Sequence, residues 1–199
     1  MRSLLTLLVV TLGVASFVLA DTPVQDNVAP DGFTLLFNGR DCTGWQEDNK
    51  PPKNWKVDNG VLEFNGGGRA LFTEEKFSNF ILLIDWKIPR KGNSGIFLRG
   101  GATQVEINDG DPAKPTWNGT SGGLYPHRPP SKHAMKPAGE WNHYEIRVEN
   151  GLITVFLNGE KTIDAFPMNW EKSTTGAIGF QNHGTPVSFK NIYIKKLPE

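Results

Sequence analysis

The sequence predicts an all-β fold in which two antiparallel sheets pack as a sandwich. Apolar and polar residues alternate along many short segments, as they do in strands with one buried face. Asn-Gly pairs at 38–39, 59–60, 150–151 and 158–159 separate several of these segments, and such pairs favour tight hairpin turns. No segment after the first twenty residues keeps a helical period beyond a turn or two. About a dozen short strands at this spacing indicate a double-sheet sandwich.

Length and composition favour one domain with no extreme charge. The chain has 199 residues, 38% of them hydrophobic, which suits one well-packed domain. Lys plus Arg and Asp plus Glu balance at 21 each, so a nucleic-acid partner or an anionic membrane surface is disfavoured. Six Trp supply aromatic rings for packing or for stacking on sugars. The composition points to no particular oligomeric state.

Residues 1–20 have the pattern of a cleaved secretory signal peptide. Arg2 is followed by a nearly uncharged apolar run, and small residues precede Asp21. A membrane anchor is the alternative, but the run is short for a bilayer and Gly13 and Ser16 dilute it. We therefore expect a secreted or periplasmic protein with no membrane contact after cleavage. The single cysteine, Cys42, can form no internal disulfide.

The polar segment 21–31 contains two prolines and is predicted to be a short tether, so that the domain covers residues 32–199. Within the domain, two strands are expected to flank the turn at 58–60. The glycines at 66–68 could suggest a phosphate-binding loop. No Gly-Lys-Ser/Thr follows them, however, so an ordinary loop without a nucleotide cofactor is expected.

The segment 77–88 is predicted to be one central strand, buried on both faces near its start. Asp85 interrupts its second face, and a buried carboxylate is costly unless it is paired. Two interpretations remain open. Asp85 either forms a salt bridge with a neighbour such as Arg99, which we slightly favour, or lines a binding site.

Two alternating segments, 93–99 and 104–108, are predicted to form a hairpin that carries the polar chemistry. Val105 and Ile107 face the core in this pattern. The opposite face carries a cation, a carboxylate and amides: Arg99, Glu106, Gln104 and Asn108.

The span 109–141 is predicted to be a long loop at the end of this hairpin. Loops longer than about fifteen residues in compact domains are usually lids or binding loops. This loop or its exit contains three of the four histidines, including His133, together with Trp117 and Tyr125. The alternative is a solvated surface loop. Its position directly after a polar strand favours a binding role.

Several segments taken in order resemble the 3-keto-disaccharide hydrolase domain family. They cover nearly the whole chain after the signal: 33–45, 92–99, 123–125, 137–142, 158–159, 178–184 and 189–192. The resemblance implies a concanavalin A-like jelly roll of two curved antiparallel sheets. It also implies an exported bacterial enzyme that acts on carbohydrates already oxidised at carbon 3. Family members commonly have Glu-Val-Gln-Ile where this chain has Gln-Val-Glu-Ile at 104–107, so the carboxylate and the amide are exchanged.

Cleavage next to a ketone would require a base, an oxyanion stabiliser and an acid. We expect Glu106 or His133 to be the base, and Arg99 or a bound divalent metal ion to stabilise the oxyanion. Alternatively, Arg99 only neutralises a neighbouring carboxylate. His183 or Tyr125 is expected to be the acid or a substrate clamp. Other side chains are expected to contact the sugar: Asn93, Gln104, Gln181, Asp85 and Trp117.

Three functional hypotheses follow from these residues. The first is an exported enzyme that cleaves 3-keto glycosides. The second is a lectin-like module of the same fold that binds sugar without cleaving it, and the third is a surface interaction domain. Ordinary glycosidase chemistry is disfavoured because it uses two carboxylates, and Glu106 has none two residues away.

Overall fold

The computed structural model of the protein describes residues 26–101, 103–110, 117–168 and 173–199, so the predicted signal peptide lies outside the described residues. In these ranges the chain forms strands and no helix. No helix there is long and apolar enough to span a membrane. The strands are β1 (Thr34–Leu35), β2 (Trp45–Gln46), β3 (Trp55–Asp58), β4 (Val61–Phe64), β5 (Leu71–Phe77), β6 (Phe80–Lys87), β7 (Asn93–Leu98), β8 (Thr103–Asn108), β9 (Leu124–Tyr125), β10 (Asn142–Glu149), β11 (Leu152–Leu157), β12 (Glu160–Pro167), β13 (Gly176–Phe180) and β14 (Val187–Lys196).

The strands form two antiparallel sheets, which confirms the predicted jelly-roll sandwich. The eight-stranded sheet has the order β12-β11-β10-β6-β14-β4-β3, and β1 pairs with β14 beside this path. The six-stranded sheet has the order β2-β5-β13-β7-β8-β9. Neighbours in space are often distant in sequence, so each sheet gathers residues from both halves of the chain.

The core lies between the inner faces of the two sheets. Phe180 on β13 stacks against Phe189 on β14 at 4.2 Å between ring centroids, and against Trp45 at 4.8 Å. The Phe180–Phe189 contact joins the six-stranded sheet to the eight-stranded sheet, and Trp45 extends this stack within the six-stranded sheet. Burial of each such large side chain contributes about 1.5–3 kcal/mol. The inner faces therefore fix how the sheets pack and leave the outer faces available for function.

The segment 77–88 differs from its prediction at its start. Phe77 ends β5, and the central strand β6 begins at Phe80. Only one face of β6 is fully buried, because Ile81 and Leu83 are half-exposed on the other. The polar pair Ser78-Asn79 forms the turn between the two strands, and the prediction failed because it ran one strand through this pair.

The described part of the expected tether is fixed to the domain. Asn27 and Asn191 exchange two hydrogen bonds, from the N–H of each to the Oδ1 of the other, at 2.7 and 3.1 Å. The Nδ2 atom of Asn27 also donates to the carbonyl of Gly60. Asp26 pairs with Lys190 at 2.7 Å. Residues 26 and 27 are thus bound to β14 and to the turn between β3 and β4.

Candidate active site

The β7–β8 hairpin turns its polar side chains to the outer face of the six-stranded sheet. Gly95 pairs with Glu106, and Phe97 pairs with Gln104. Val105 and Ile107 are fully buried in the core on the opposite face. The alternation expected from the sequence therefore holds along β8.

Glu106 is a buried carboxyl group with a raised pKa. Its exposed fraction is only 3%, and Gln104 Nε2 donates to its Oε2 at 2.6 Å. Burial raises the pKa of Glu106 to about 7, while hydrogen bonds from the side chains of Gln104 and Asn108 act in the opposite direction. A carboxyl group with this pKa changes its charge near neutral pH.

The main chain around Glu106 is held from both sides. Its N–H donates to the carbonyl of Gly123, and its carbonyl accepts from the N–H of Gly122. From the core side, the hydroxyl of Tyr144 donates to the same carbonyl at 2.5 Å. These contacts fix the position from which the carboxyl group projects.

Gly95 leaves room for the side chains that surround Glu106. An added Cβ at Gly95 would lie 3.0 Å from Cδ of Gln104, which is tighter than ordinary side-chain contacts. The N–H of Gln181 donates to the carbonyl of Gly95 at 2.8 Å, so Gln181 lies beside Gly95 on the side opposite to Glu106. Gln181, Gly95 and Glu106 are thus neighbours on three adjacent chain segments.

Two amide oxygens beside Glu106 have no hydrogen-bond donor in the described part of the protein. They are Oδ1 of Asn93 and Oε1 of Gln181, and both atoms are buried. Asn93 pairs with Asn108 across the hairpin, and its main chain is held by Thr185. Buried acceptors are normally satisfied, so these atoms are suited to ligand hydroxyl groups. We call Glu106, Gln104, Asn108, Asn93 and Gln181 the Glu106 cluster.

Three other predicted residues are exposed in segments that belong to or adjoin the strands of this sheet. Tyr125 pairs with Gln104 and therefore projects from the same face, with an exposed fraction of 44%. His183 lies in the exposed loop between Gln181 and the β14 strand. Trp117 is 42% exposed in the loop that precedes β9.

Arg99 lies at the far end of β7 from Asn93. Its Nε and Nη2 donate to the carbonyl of Ser78 at 3.1 and 2.7 Å, in the turn between β5 and β6. It is four residues beyond Gly95, about 13 Å along the strand. This placement, with both hydrogen bonds directed to Ser78, separates its guanidinium from the carboxyl group of Glu106.

Asp85 lies on the outer face of the other sheet and does not share the face that carries Glu106. It accepts from Nδ2 of Asn191 at 2.7 Å and contacts Nδ1 of His143 at 2.6 Å. The expected structural pair exists, but its partner is His143, a strand neighbour on β10, and not Arg99. The β6–β10 register brings these two residues opposite each other.

His133 is exposed beside the eight-stranded sheet. On one side of it, Lys132 pairs with Glu160 at 2.5 Å, and on the other the carbonyl of Ala134 accepts from Asn158 Nδ2 at 2.8 Å. These contacts tie the segment to the β11–β12 turn. The structure does not bring His133 to the Glu106 cluster.

Sequence reasoning left Gly95, Asn108 and Thr185 out of the candidate site. The alternation along β8 already places Asn108 on the polar face, so the sequence pattern alone could have identified it as a site residue. Gly95 and Thr185 depend on side-chain packing and on a contact between distant segments. Among the described residues, no three His, Cys, Asp or Glu side chains are grouped so that they could hold a metal ion.

The sequence model of the 3-keto-alpha-glucoside-1,2-lyase-like domain matches residues 32–195. The chain belongs to this family. The match confirms the resemblance to 3-keto-disaccharide hydrolases inferred from the sequence segments, and it covers the Glu106 cluster and both sheets.

Similar proteins agree with this assignment. A 3-keto-disaccharide hydrolase of Bacteroides thetaiotaomicron is 28% identical over 87% of this chain and 81% of its own length. The crystal structure of a candidate glycosyl hydrolase from Parabacteroides distasonis has a TM-score of 0.78 and 29% identity, covering 87% of this chain and 100% of its own. The carbohydrate-binding module CBM66 of Bacillus subtilis shares the fold, with a TM-score of 0.54 at 16% identity over 78% of this chain and 97% of its own.

Proposed function

We propose that this protein is a carbohydrate-active enzyme that cleaves glycosides whose sugar ring has been oxidised to a ketone at carbon 3. Family membership and the named hydrolase of Bacteroides thetaiotaomicron support the substrate class. The observation that carries the chemistry is one buried carboxyl group, Glu106, with a pKa of about 7 among amide side chains.

The ketone provides a route to cleavage that one base can start. A carbonyl at carbon 3 acidifies the proton on carbon 2, and its removal gives an enediolate. The electrons then re-form the carbonyl and expel the group on carbon 1, with the bonding pair leaving on oxygen. Addition of water returns a proton to carbon 2 and a hydroxyl to carbon 1, so the net reaction is hydrolysis.

Glu106 has the properties that this first step requires. A general base works best when its pKa is near the working pH, because it is then both ionised and basic. The pKa of about 7 meets that condition, whereas an ordinary exposed glutamate would be a weaker base. The hydrogen bonds from the side chains of Gln104 and Asn108 hold the carboxyl group in place while it receives the proton.

The amides of the cluster would bind the hydroxyls and the enediolate. The unpartnered oxygens of Asn93 and Gln181 can accept from sugar hydroxyls, and their amide N–H groups can donate to developing negative charge. His183 and Tyr125 lie at the border of the face, where one of them would protonate the leaving oxygen or clamp the sugar.

Two-carboxylate hydrolysis is a weaker account of this site. It places a second carboxyl group about 5–10 Å from the first. In the described ranges, the side chains that surround Glu106 on its face are amides. We also propose export to the periplasm or the exterior, which rests on the signal-peptide pattern of residues 1–20.

The test is turnover of a 3-keto disaccharide compared with its unoxidised parent, with released sugar measured by chromatography. We expect release from the 3-keto compound only, and loss of it in Glu106→Gln. Glu63→Gln is the matched control, because Glu63 pairs with Lys56 on the other sheet. Deuterium at carbon 2 should slow the reaction. Release from the parent at an equal rate, or no release from either sugar, would refute the proposal, and binding without release would favour a lectin.

A further inference from the structure

One row of side chains crosses all six strands of the sheet that carries Glu106. Residues directly opposite each other in antiparallel strands project from the same face. The register pairs link the row step by step, from β2 to β9. The row consists of Gln46, Phe72, Gly179, Phe97, Gln104 and Tyr125.

The middle of this row is an aromatic platform made by Phe72 and Phe97. Their ring centroids are 5.6 Å apart and their planes differ by 13°. The rings meet because Gly179 lies between them, where an added Cβ would come within 2.4 Å of the Phe72 ring. Both rings are half-buried, so part of each apolar surface faces solvent. The C–H face of a sugar ring packs well on such a surface.

A groove of about 380 Å³ continues from Phe72 away from the Glu106 cluster. Its polar wall includes Gln46, Asp48, Asn49 and Arg69. Asp48 and Arg69 form a solvent-exposed pair at 3.6 Å. The wall thus combines one positive charge, one negative charge and two amides beside an aromatic ring. This combination suits an uncharged polyhydroxy ligand better than an ion.

The distance between strands shows how far the aromatic platform lies from Glu106, the proposed base. Phe72 on β5 is three inter-strand steps and two residues along the strand from Glu106 on β8, about 16 Å, whereas Phe97 on β7 is one step and two residues away, about 8 Å. The second ring of a disaccharide whose first ring lies at Glu106 can therefore reach the platform at Phe97. Gln104 belongs to both the row and the Glu106 cluster, so the two surfaces are continuous.

We propose that the platform of Phe72 and Phe97, with the groove beside it, binds the sugar that leaves from carbon 1. This inference rests on the proposed function, because it places the oxidised ring at Glu106. The leaving sugar then lies on the aromatic rings with its hydroxyls toward Gln46 and Arg69. The protein should therefore prefer glycosides whose leaving group is itself a sugar over those with a small leaving group.

The test measures binding without turnover. Wild-type protein and Phe72→Ala are titrated calorimetrically with an unoxidised glucose disaccharide and with methyl glucoside. Phe156→Ala is the matched control, because Phe156 is also half-buried, on the outer face of the other sheet beside Arg147. We expect the wild type and the control to bind the disaccharide about tenfold more tightly than methyl glucoside, and Phe72→Ala to lose that preference.

Equal affinity of the wild type for both ligands, or an unchanged preference in Phe72→Ala, would overturn the inference. If Phe72→Ala does not fold, Arg69→Ala replaces it, since that side chain is exposed and the main-chain N–H that binds Glu47 is retained. Disaccharide preference without cleavage of any 3-keto substrate would refute the proposed function alone. Cleavage without the preference would refute the platform alone.

Discussion

Gln104 Nε2 lies 2.6 Å from Oε2 of Glu106, and both side chains are more than nine-tenths buried. The two effects on the carboxyl group oppose each other. Burial disfavours its charge, and the amide hydrogen bond favours it. The pKa of about 7 is the balance of the two, so Gln104 is a positioning residue that also tunes the acidity of Glu106.

Replacement of Gln104 by Leu should move the pH dependence of activity upward. The variant loses a hydrogen bond that lowers the pKa of Glu106, so this pKa should rise above about 7. A base must be ionised to act, and therefore kcat/KM should reach its plateau at higher pH than in the wild type. Rate profiles from acid to alkaline pH check the shift. A profile that falls at every pH without moving would contradict the tuning role.

The buried carboxyl group of Glu106 should make the protein less stable as the pH rises. The pKa rises from 4.5 to about 7 on folding, so the folded state binds this proton more tightly than the unfolded chain. The contribution of Glu106 to the free energy of unfolding is therefore fully present below pH 4.5 and is lost as the pH rises from 4.5 through about 7. The loss is at most about 3 kcal/mol. Denaturant unfolding at several pH values should show the fall in the wild type and not in Glu106→Gln. A fall of equal size in both proteins would assign it to other groups.

Gly95→Ala should impair activity more than stability. The added Cβ would meet the side chain of Gln104 at 3.0 to 3.2 Å, so the amide must move and its bond to Glu106 should weaken. Gly67→Ala is the matched control, since its Cβ would meet only Asn54 at 3.6 Å. We expect a loss of kcat/KM of about tenfold or more with a melting temperature near that of the control. Full activity in Gly95→Ala would show that the position of Gln104 is unimportant.

The sandwich and the polar face of β8 could be predicted because their signals are local. Alternation and Asn-Gly turns need only neighbouring residues, and they placed Gln104 and Glu106 correctly on one face. The direction of the Arg99 side chain could not be predicted in this way. Its φ of 49° is left-handed, so the period of two stops at Leu98 and no longer gives the direction of the next side chain.

The loop residues could not be placed for a different reason. The path of His133 depends on Ala134 meeting Asn158, a contact between segments 24 residues apart. Asp85 was correctly expected to be paired, but the identity of its partner follows from the order of strands in the sheet. Strand order is a global property that no short pattern contains.

His133→Ala separates the two candidate bases that the sequence left open. His133 is exposed, and its flanking residues are bound to Glu160 and Asn158 beside the eight-stranded sheet, whereas Glu106 projects from the six-stranded sheet. If Glu106 is the base, loss of the imidazole should change kcat/KM by no more than about twofold, as exposed substitutions usually do. The same assay on Glu106→Gln should show loss of turnover with sugar binding retained. Abolished turnover in His133→Ala, in a protein that melts like the wild type, would instead assign the proton transfer to the loop and require it to close over the sheet.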